Sequence, residues 1–177
     1  MLFKMANLYL MCGLPGAGKS TFLKTHVLPS NTPRVIISRD EIRYSLLKEQ
    51  DEYFSKEKEV SSIFWERINR ALSEGKTVFA DQTSLTPKSR EWFVQHVSGY
   101  THIYLIWIDT DLTTCLKRNE NRKNTRAYVP RGQIRRMFRQ FIKPSLSEGF
   151  DDIFHFVYKN DRLDLEEGAD FSTEFIC

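Results

Sequence analysis

The sequence predicts an α/β fold in three layers: a parallel β-sheet flanked by helices, with a basic helical lid. Short apolar runs alternate with stretches of helical spacing along the chain. The first run ends in a glycine-rich loop that opens a helix. No repeat, linker or low-complexity stretch breaks the alternation, so residues 1–177 read as one domain.

The elements follow in order. "NLYLM" (7–11) is a short apolar run before Gly13 and predicts a buried strand. "KSTFLKTHVL" has helical spacing. "RVIIS" (34–38) is a second strand, and "RDEIRYSLLK" a helix with Ile42, Leu46 and Leu47 on one face. Ser55 to Glu74 predicts a charged helix carrying Val60, Ile63, Phe64, Ile68 and Leu72, stopped by Gly75. "TVFA" (77–80) is a third strand, expected to be central, and "KSREWFVQHV" the next helix. "HIYLIWI" (102–108) is the most hydrophobic strand. "DLTTCLKRNENR" reads as a helix, "KNTRAYV" as a loop, and "PRGQIRRMFRQFI" as a helix opening on proline. That last helix has Ile134, Met137, Phe138 and Phe141 as its apolar stripe. "IFHFVY" (153–158) is the last strand, and the tail after about residue 160 is acidic and weakly patterned. Trp65, Trp92 and Trp107 fall on apolar faces and read as core.

Composition is that of a soluble globular protein: 41% hydrophobic and 28% charged residues. No apolar run nears the ~20 residues a membrane span needs. "MLFKMANLYLMCG" is a strand rather than a signal peptide, because cleavage would destroy the glycine loop. Cys12, Cys115 and Cys177 are odd in number and lack metal-site spacing, which fits a cytoplasmic protein. The four histidines form no metal set. Net charge is +3, but Lys117 to Lys143 holds ten basic residues against one acid, Glu120. Such a block suits a polyanionic partner; a solvated basic helix is the alternative.

"GLPGAGKS" has the spacing of a phosphate loop, G-x-x-x-x-G-K-[ST]. Gly13, Gly16, Ala17 and Gly18 supply backbone N–H groups that approach phosphate oxygens. Lys19 is placed to reach the β and γ phosphates, Ser20 to bind Mg²⁺, and Thr21 to hold the α phosphate. The expected ligand is ATP or another nucleoside triphosphate, within a P-loop NTPase fold. "ISRDEIR" then puts Asp40 just past the second strand, at the carboxyl end of the sheet where ligands bind. Asp40 is a candidate general base for an acceptor hydroxyl, with a helix N-cap role as the alternative. Arg43, one turn on, suits an acceptor bearing phosphate or carboxylate; a surface arginine is the alternative. Asp81 ends the third strand and can hold Mg²⁺ through water or fix an arginine. Thr83 and Arg90 are weaker candidates. Arg118 and Arg122, at i and i+4, should share a helix face and begin a lid over about 112–141, with Arg126 in its loop. Arg131, Arg135 and Arg139 align at i, i+4, i+8 as a possible strip for a polyanion or as a solvated face.

Taken together, "GLPGAGKSTFLKTH", "SRDEIR", "VFADQTSLTPKSR", "KRNENRKNTRAYVP" and "PSLSEGFDDIFHF" resemble, in content and order, the polynucleotide 5′-hydroxyl kinase family. The likeness is to the kinase module of phage and animal polynucleotide kinases and runs from about Leu8 to Tyr158. The resemblance implies Asp40 as base on a 5′-OH and Arg43 on the neighbouring acceptor phosphate. It implies Lys19 and Arg122 on the transferring phosphoryl group, Arg118 as a clamp on ATP, and Mg²⁺ as cofactor. Relatives often show Asp-x-Thr-Asn where this chain has Asp81-Gln82-Thr83-Ser84. No room is left for a phosphatase or ligase module, so a stand-alone kinase or one part of a split system is expected. The expected partners are a nucleoside triphosphate and a 5′-OH polynucleotide, RNA or DNA. Two alternatives stay open: a kinase for a nucleoside, sugar or nucleotide-sugar, and a nucleotide-binding regulatory module with no acceptor.

Overall fold

The computed structural model describes residues 6–27 and 33–168. A six-stranded sheet runs in the order β2-β3-β1-β4-β5-β6. Its strands are β1 (Asn7–Cys12), β2 (Arg34–Ser38), β3 (Thr77–Asp81), β4 (His102–Asp109), β5 (Asp152–Lys159) and β6 (Arg162–Glu167). The first five are parallel, and β6 pairs antiparallel with β5. The helices are α1 (Lys19–His26), α2 (Arg39–Leu46), α3 (Glu57–Ser73), α4 (Pro87–His96), α5 (Leu112–Glu120) and α6 (Arg131–Gln140), with a 3₁₀ turn at Leu146–Glu148.

Alternation along the strands divides the core. Leu8, Leu10, Cys12, Val78 and Ala80 face Val60, Phe64, Ile68 and Phe93 of α3 and α4. Tyr9, Met11, Phe79, Ile106 and Ile108 face Phe22, Leu23 and Cys115 of α1 and α5. Every residue of β3 is buried, as a strand between two neighbours requires. Connections β1–α1, β2–α2 and β3–α4 all leave the same edge of the sheet, so their first residues converge there.

Several expectations are corrected. The segment after residue 160 is a strand, not an unpatterned tail; residues 169–177, with Cys177, lie outside the described residues. Trp92 is 54% exposed, because the next residue, Phe93, takes the inward position on α4. Phe138 is also exposed, and α6 ends before Phe141. Arg131, Arg135 and Arg139 are all exposed, with Arg131 paired to Glu120. No helix among the described residues is long and apolar enough to cross a membrane.

Candidate active site

The loop after β1 is shaped by its glycines. A Cβ on Gly16 would sit 2.5 Å from the Cys115 carbonyl oxygen, and one on Gly13 2.6 Å from that of Ile108. Both glycines also have positive φ, so no other residue fits without moving backbone. Gly18 is the N-cap of α1 and no side chain among the described residues caps the helix, which leaves its first-turn amides for an anion. Lys19 is folded back: its Nζ donates to the carbonyls of Gly13 at 2.9 Å and Leu14 at 3.0 Å. Burial lowers the Lys19 pKa, with the Asp81 and Asp40 charges partly offsetting it. A bound phosphate would supply the missing counter-charge.

Ser20 Oγ donates to Asp81 Oδ2 at 2.8 Å, which joins the start of α1 to the end of β3. Burial raises the Asp81 carboxyl, against the pull of Lys19. Hydroxyl and carboxylate are the hard oxygen donors that Mg²⁺ takes alongside phosphate, so this pair fits the ion. No cluster of three His, Cys, Asp or Glu residues suited to a metal occurs among the described residues. Thr83 follows on the same wall, its carbonyl accepting from Gly13 N–H at 3.0 Å.

Ser38 caps α2 through the Glu41 amide and sets Asp40 in the first turn with its side chain 59% exposed. Two donors hold the Asp40 carboxylate: the Arg43 guanidinium, and the Tyr53 hydroxyl at 3.0 Å. Burial and the Asp40 charge push the Tyr53 phenol far above its usual range, so it stays a proton donor. Arg43 is only 4% exposed. Its Nη2 donates to both oxygens of Glu57, at 2.9 and 3.2 Å, and its Cζ lies 4.6 Å from the Tyr53 ring centre. Arg39 grips the same Glu57 at 2.6 Å. Tyr53 and Glu57 escaped the sequence reading, since only the fold brings them to Asp40.

Arg118 and Arg122 do not share a helix face. Helix α5 ends at Glu120, where buried Asn119 bonds both backbone groups of Val129 and closes loop 120–129. Arg118 stays on the helix, donating to Gly16 and Ala17 carbonyls and lying 4.1 Å from the Tyr158 ring centre. Arg122 turns into the cleft instead. Arg126 bridges from the loop to the Tyr44 carbonyl at 3.3 Å, outside the residues that line the cleft. Gly16, Gly18, Lys19, Ser20, Thr21, Asp40, Arg43, Asp81, Thr83 and Arg122 all line one open cleft of about 1430 Å³. Cys12 and Cys115 are buried thiols raised by burial to about 12 and about 11, unsuited to nucleophilic work.

A parallel sheet, a glycine-shaped anion loop and a carboxylate across one cleft define a P-loop domain of the kinase type. The family described as an AAA domain matches residues 8–144, and the chain belongs to it. Transcription factor bHLH140 of Arabidopsis thaliana is similar at 23% identity over 159 residues, which is 88% of this chain but 16% of that protein. Among solved structures, a chain of the Pnkp1/Rnl/Hen1 RNA repair complex superposes with TM-score 0.66 and 21% identity. That match covers 77% of this chain and 44% of the other, so this chain spans less than half of that relative. Kti12 of Chaetomium thermophilum, in complex with ADP-AlF3, gives TM-score 0.66 at 14% identity, covering 87% and 90%.

Proposed function

We propose that this domain transfers the γ-phosphate of ATP to the 5′-OH of a polynucleotide. The observation that carries the reading is Asp40, exposed and aligned by Arg43 and Tyr53, in the same cleft as Lys19 and Ser20. At about 1430 Å³ the cleft exceeds the ~300–1,000 Å³ of a small-ligand pocket, leaving room for a triphosphate and an extended acceptor. The likeness to a chain of an RNA repair complex points the same way.

In this reading the loop amides of Gly13 to Gly18 and Thr21 cradle the phosphates, and Arg118 and Arg126 steady the lid and loop around the nucleotide. Lys19 leaves the Gly13 and Leu14 carbonyls for the β and γ phosphates. Ser20, with Asp81 directly or through water, would hold Mg²⁺, which neutralises phosphate charge when bound. Asp40 orients the acceptor hydroxyl and takes its proton. Arg122 approaches from the lid and stabilises charge on the transferring group. Arg43 meets the acceptor's phosphate, with Glu57 the carboxylate that phosphate competes against, and Thr83 lines the acceptor side.

The test uses γ-labelled ATP, Mg²⁺ and a panel of acceptors: 5′-OH oligoribonucleotides and oligodeoxynucleotides, 3′-mononucleotides, nucleosides and sugars. Label on oligonucleotides, lost in Asp40→Asn and Lys19→Ala, is the expected result. Label confined to nucleosides or sugars would replace the acceptor but keep Asp40 as base. Free phosphate with no labelled acceptor would sink the kinase reading.

A further inference from the structure

On α4 the inward positions belong to Arg90 and Phe93, both fully buried. Trp92 points away from them and is 54% exposed, yet it is not loose. Its ring lies 4.3 Å from that of His96, and His96 stacks in turn on Trp65 at 5.2 Å. His96 Nδ1 also pairs with the Trp92 carbonyl at 2.8 Å. An indole backed on one side and left half open is preorganised for a flat partner. Trp65 and Trp92 line the same cleft as Asp40 and the phosphate loop.

The path between them is traced by named side chains. Asp40 pairs with Arg43, and Arg43 with Glu57 at the start of α3. Trp65 lies eight residues along that helix, about 12 Å at 1.5 Å per residue. An acceptor that ended at its first sugar would stop short of this wall. Phe54, 53% exposed, flanks the near end of the path and packs edge-on against Tyr53. Lys88 stands four residues before Trp92, so it shares that helix face and lines the cleft too. It is exposed and makes no ion pair among the described residues. Thr86 and Ser89, whose hydroxyls cap the start of α4, line the cleft beside it. A free cation one turn from an open indole matches the alternation of phosphate and base in a single strand.

We infer that Trp92 is a stacking platform for a nucleobase of a single-stranded polynucleotide acceptor, downstream of its 5′-terminal nucleotide, with Lys88 on the strand's phosphate. The inference rests on the polynucleotide-kinase reading. The experiment compares 5′-OH oligonucleotides of two to ten nucleotides with a 3′-phosphorylated mononucleoside, in the wild type, Trp92→Ala, Trp92→Phe and Lys88→Ala. Anisotropy of a labelled decamer gives binding independently of turnover. Because Trp92 is exposed, thermal melts should confirm that Trp92→Ala folds. The expected result is an acceptor KM and Kd about tenfold higher in Trp92→Ala for the longer oligonucleotides, with most affinity restored by Trp92→Phe. The rise should be absent for the mononucleotide, and Lys88→Ala should flatten the salt dependence of binding. If the wild type labels oligonucleotides and Trp92→Ala keeps the same KM and Kd at every length, the platform is overturned and the kinase reading stands. A wild type that labels and binds no oligonucleotide overturns both.

Discussion

Arg90 and Glu148 form a buried two-point ion pair, with Nε to Oε2 at 2.5 Å and Nη2 to Oε1 at 2.9 Å. The third guanidinium nitrogen donates to the Ser84 carbonyl at 3.0 Å. That carbonyl also receives the Cys12 thiol, and Gly13 N–H bonds Thr83 next to it. The pair therefore clamps the loop after Asp81 against the start of the phosphate loop. Removing one partner strands a buried charge, at a cost of about 3–5 kcal/mol. Glu148→Ala should lose that much stability in urea unfolding. The double variant Arg90→Met/Glu148→Leu should recover most of the stability and little of the turnover, since the Ser84 carbonyl stays unclamped. Recovery of both would show that the clamp plays no part in catalysis.

Ser84 itself is strained. Its φ is +47°, a region that non-glycine residues avoid, and its buried hydroxyl has no hydrogen-bond partner among the described residues. An asparagine at this place would tolerate the left-handed conformation better than serine does. Ser84→Gly should relieve the strain and remove the unpaired hydroxyl, raising stability by up to about 1 kcal/mol. Differential scanning calorimetry checks the sign; a lower Tm would refute it.

Asp81 should trade stability for function. Its folded pKa lies above the usual 3.8, mainly through burial. A carboxyl with a raised folded pKa stabilises the fold only while protonated, and that contribution disappears as pH rises through the folded value. At neutral pH its charge is a burden in the ligand-free protein. Asp81→Asn should raise the Tm at pH 7, and the gain should shrink in acid. Activity should fall about 10- to 100-fold, recovering in part at higher Mg²⁺. A variant equally active at low Mg²⁺ would remove Asp81 from the ion's site.

The phosphate loop and Asp40 were legible because each is local: a fixed spacing, or a position just past a strand. The groups that support them were not. Arg90 and Glu148 are 58 residues apart, and Tyr53 and Glu57 reach Asp40 and Arg43 only once α2 packs on α3. Arg122 lies two residues past the end of α5, where the Asn119–Val129 bonds turn the chain out of the helix that the spacing predicts. Strand β6 was lost beneath its acidic composition, although Asn160 and Asp161, at φ +50° and +61°, make a two-residue hairpin turn before the alternating Leu163 and Leu165. Trp92 was misplaced by one helical position beside Phe93.

Glu57 decides whether Arg43 can serve an acceptor. Burial would raise the Glu57 carboxyl, but hydrogen bonds from Arg39 and Arg43 outweigh it and hold the pKa below the usual 4.5. A depressed carboxylate contributes stability above about pH 4.5 and loses it as pH falls through the folded value. Glu57→Gln should therefore be less stable than the wild type at neutral pH and converge with it in strong acid. Among the described residues, the same change leaves Arg43 with the Asp40 carboxylate as its one charged partner. The KM for an acceptor carrying a phosphate beside its 5′-OH should fall about threefold, while that for a nucleoside without phosphate should not. Arg43→Ala should raise the KM for the phosphate-bearing acceptor about tenfold or more, the value of a charge-assisted hydrogen bond. Parallel KM measurements on a nucleoside and its 3′-phosphate separate the outcomes. Equal effects on the two acceptors would make Arg43 a strut for Asp40 and transfer acceptor binding to other residues of the cleft.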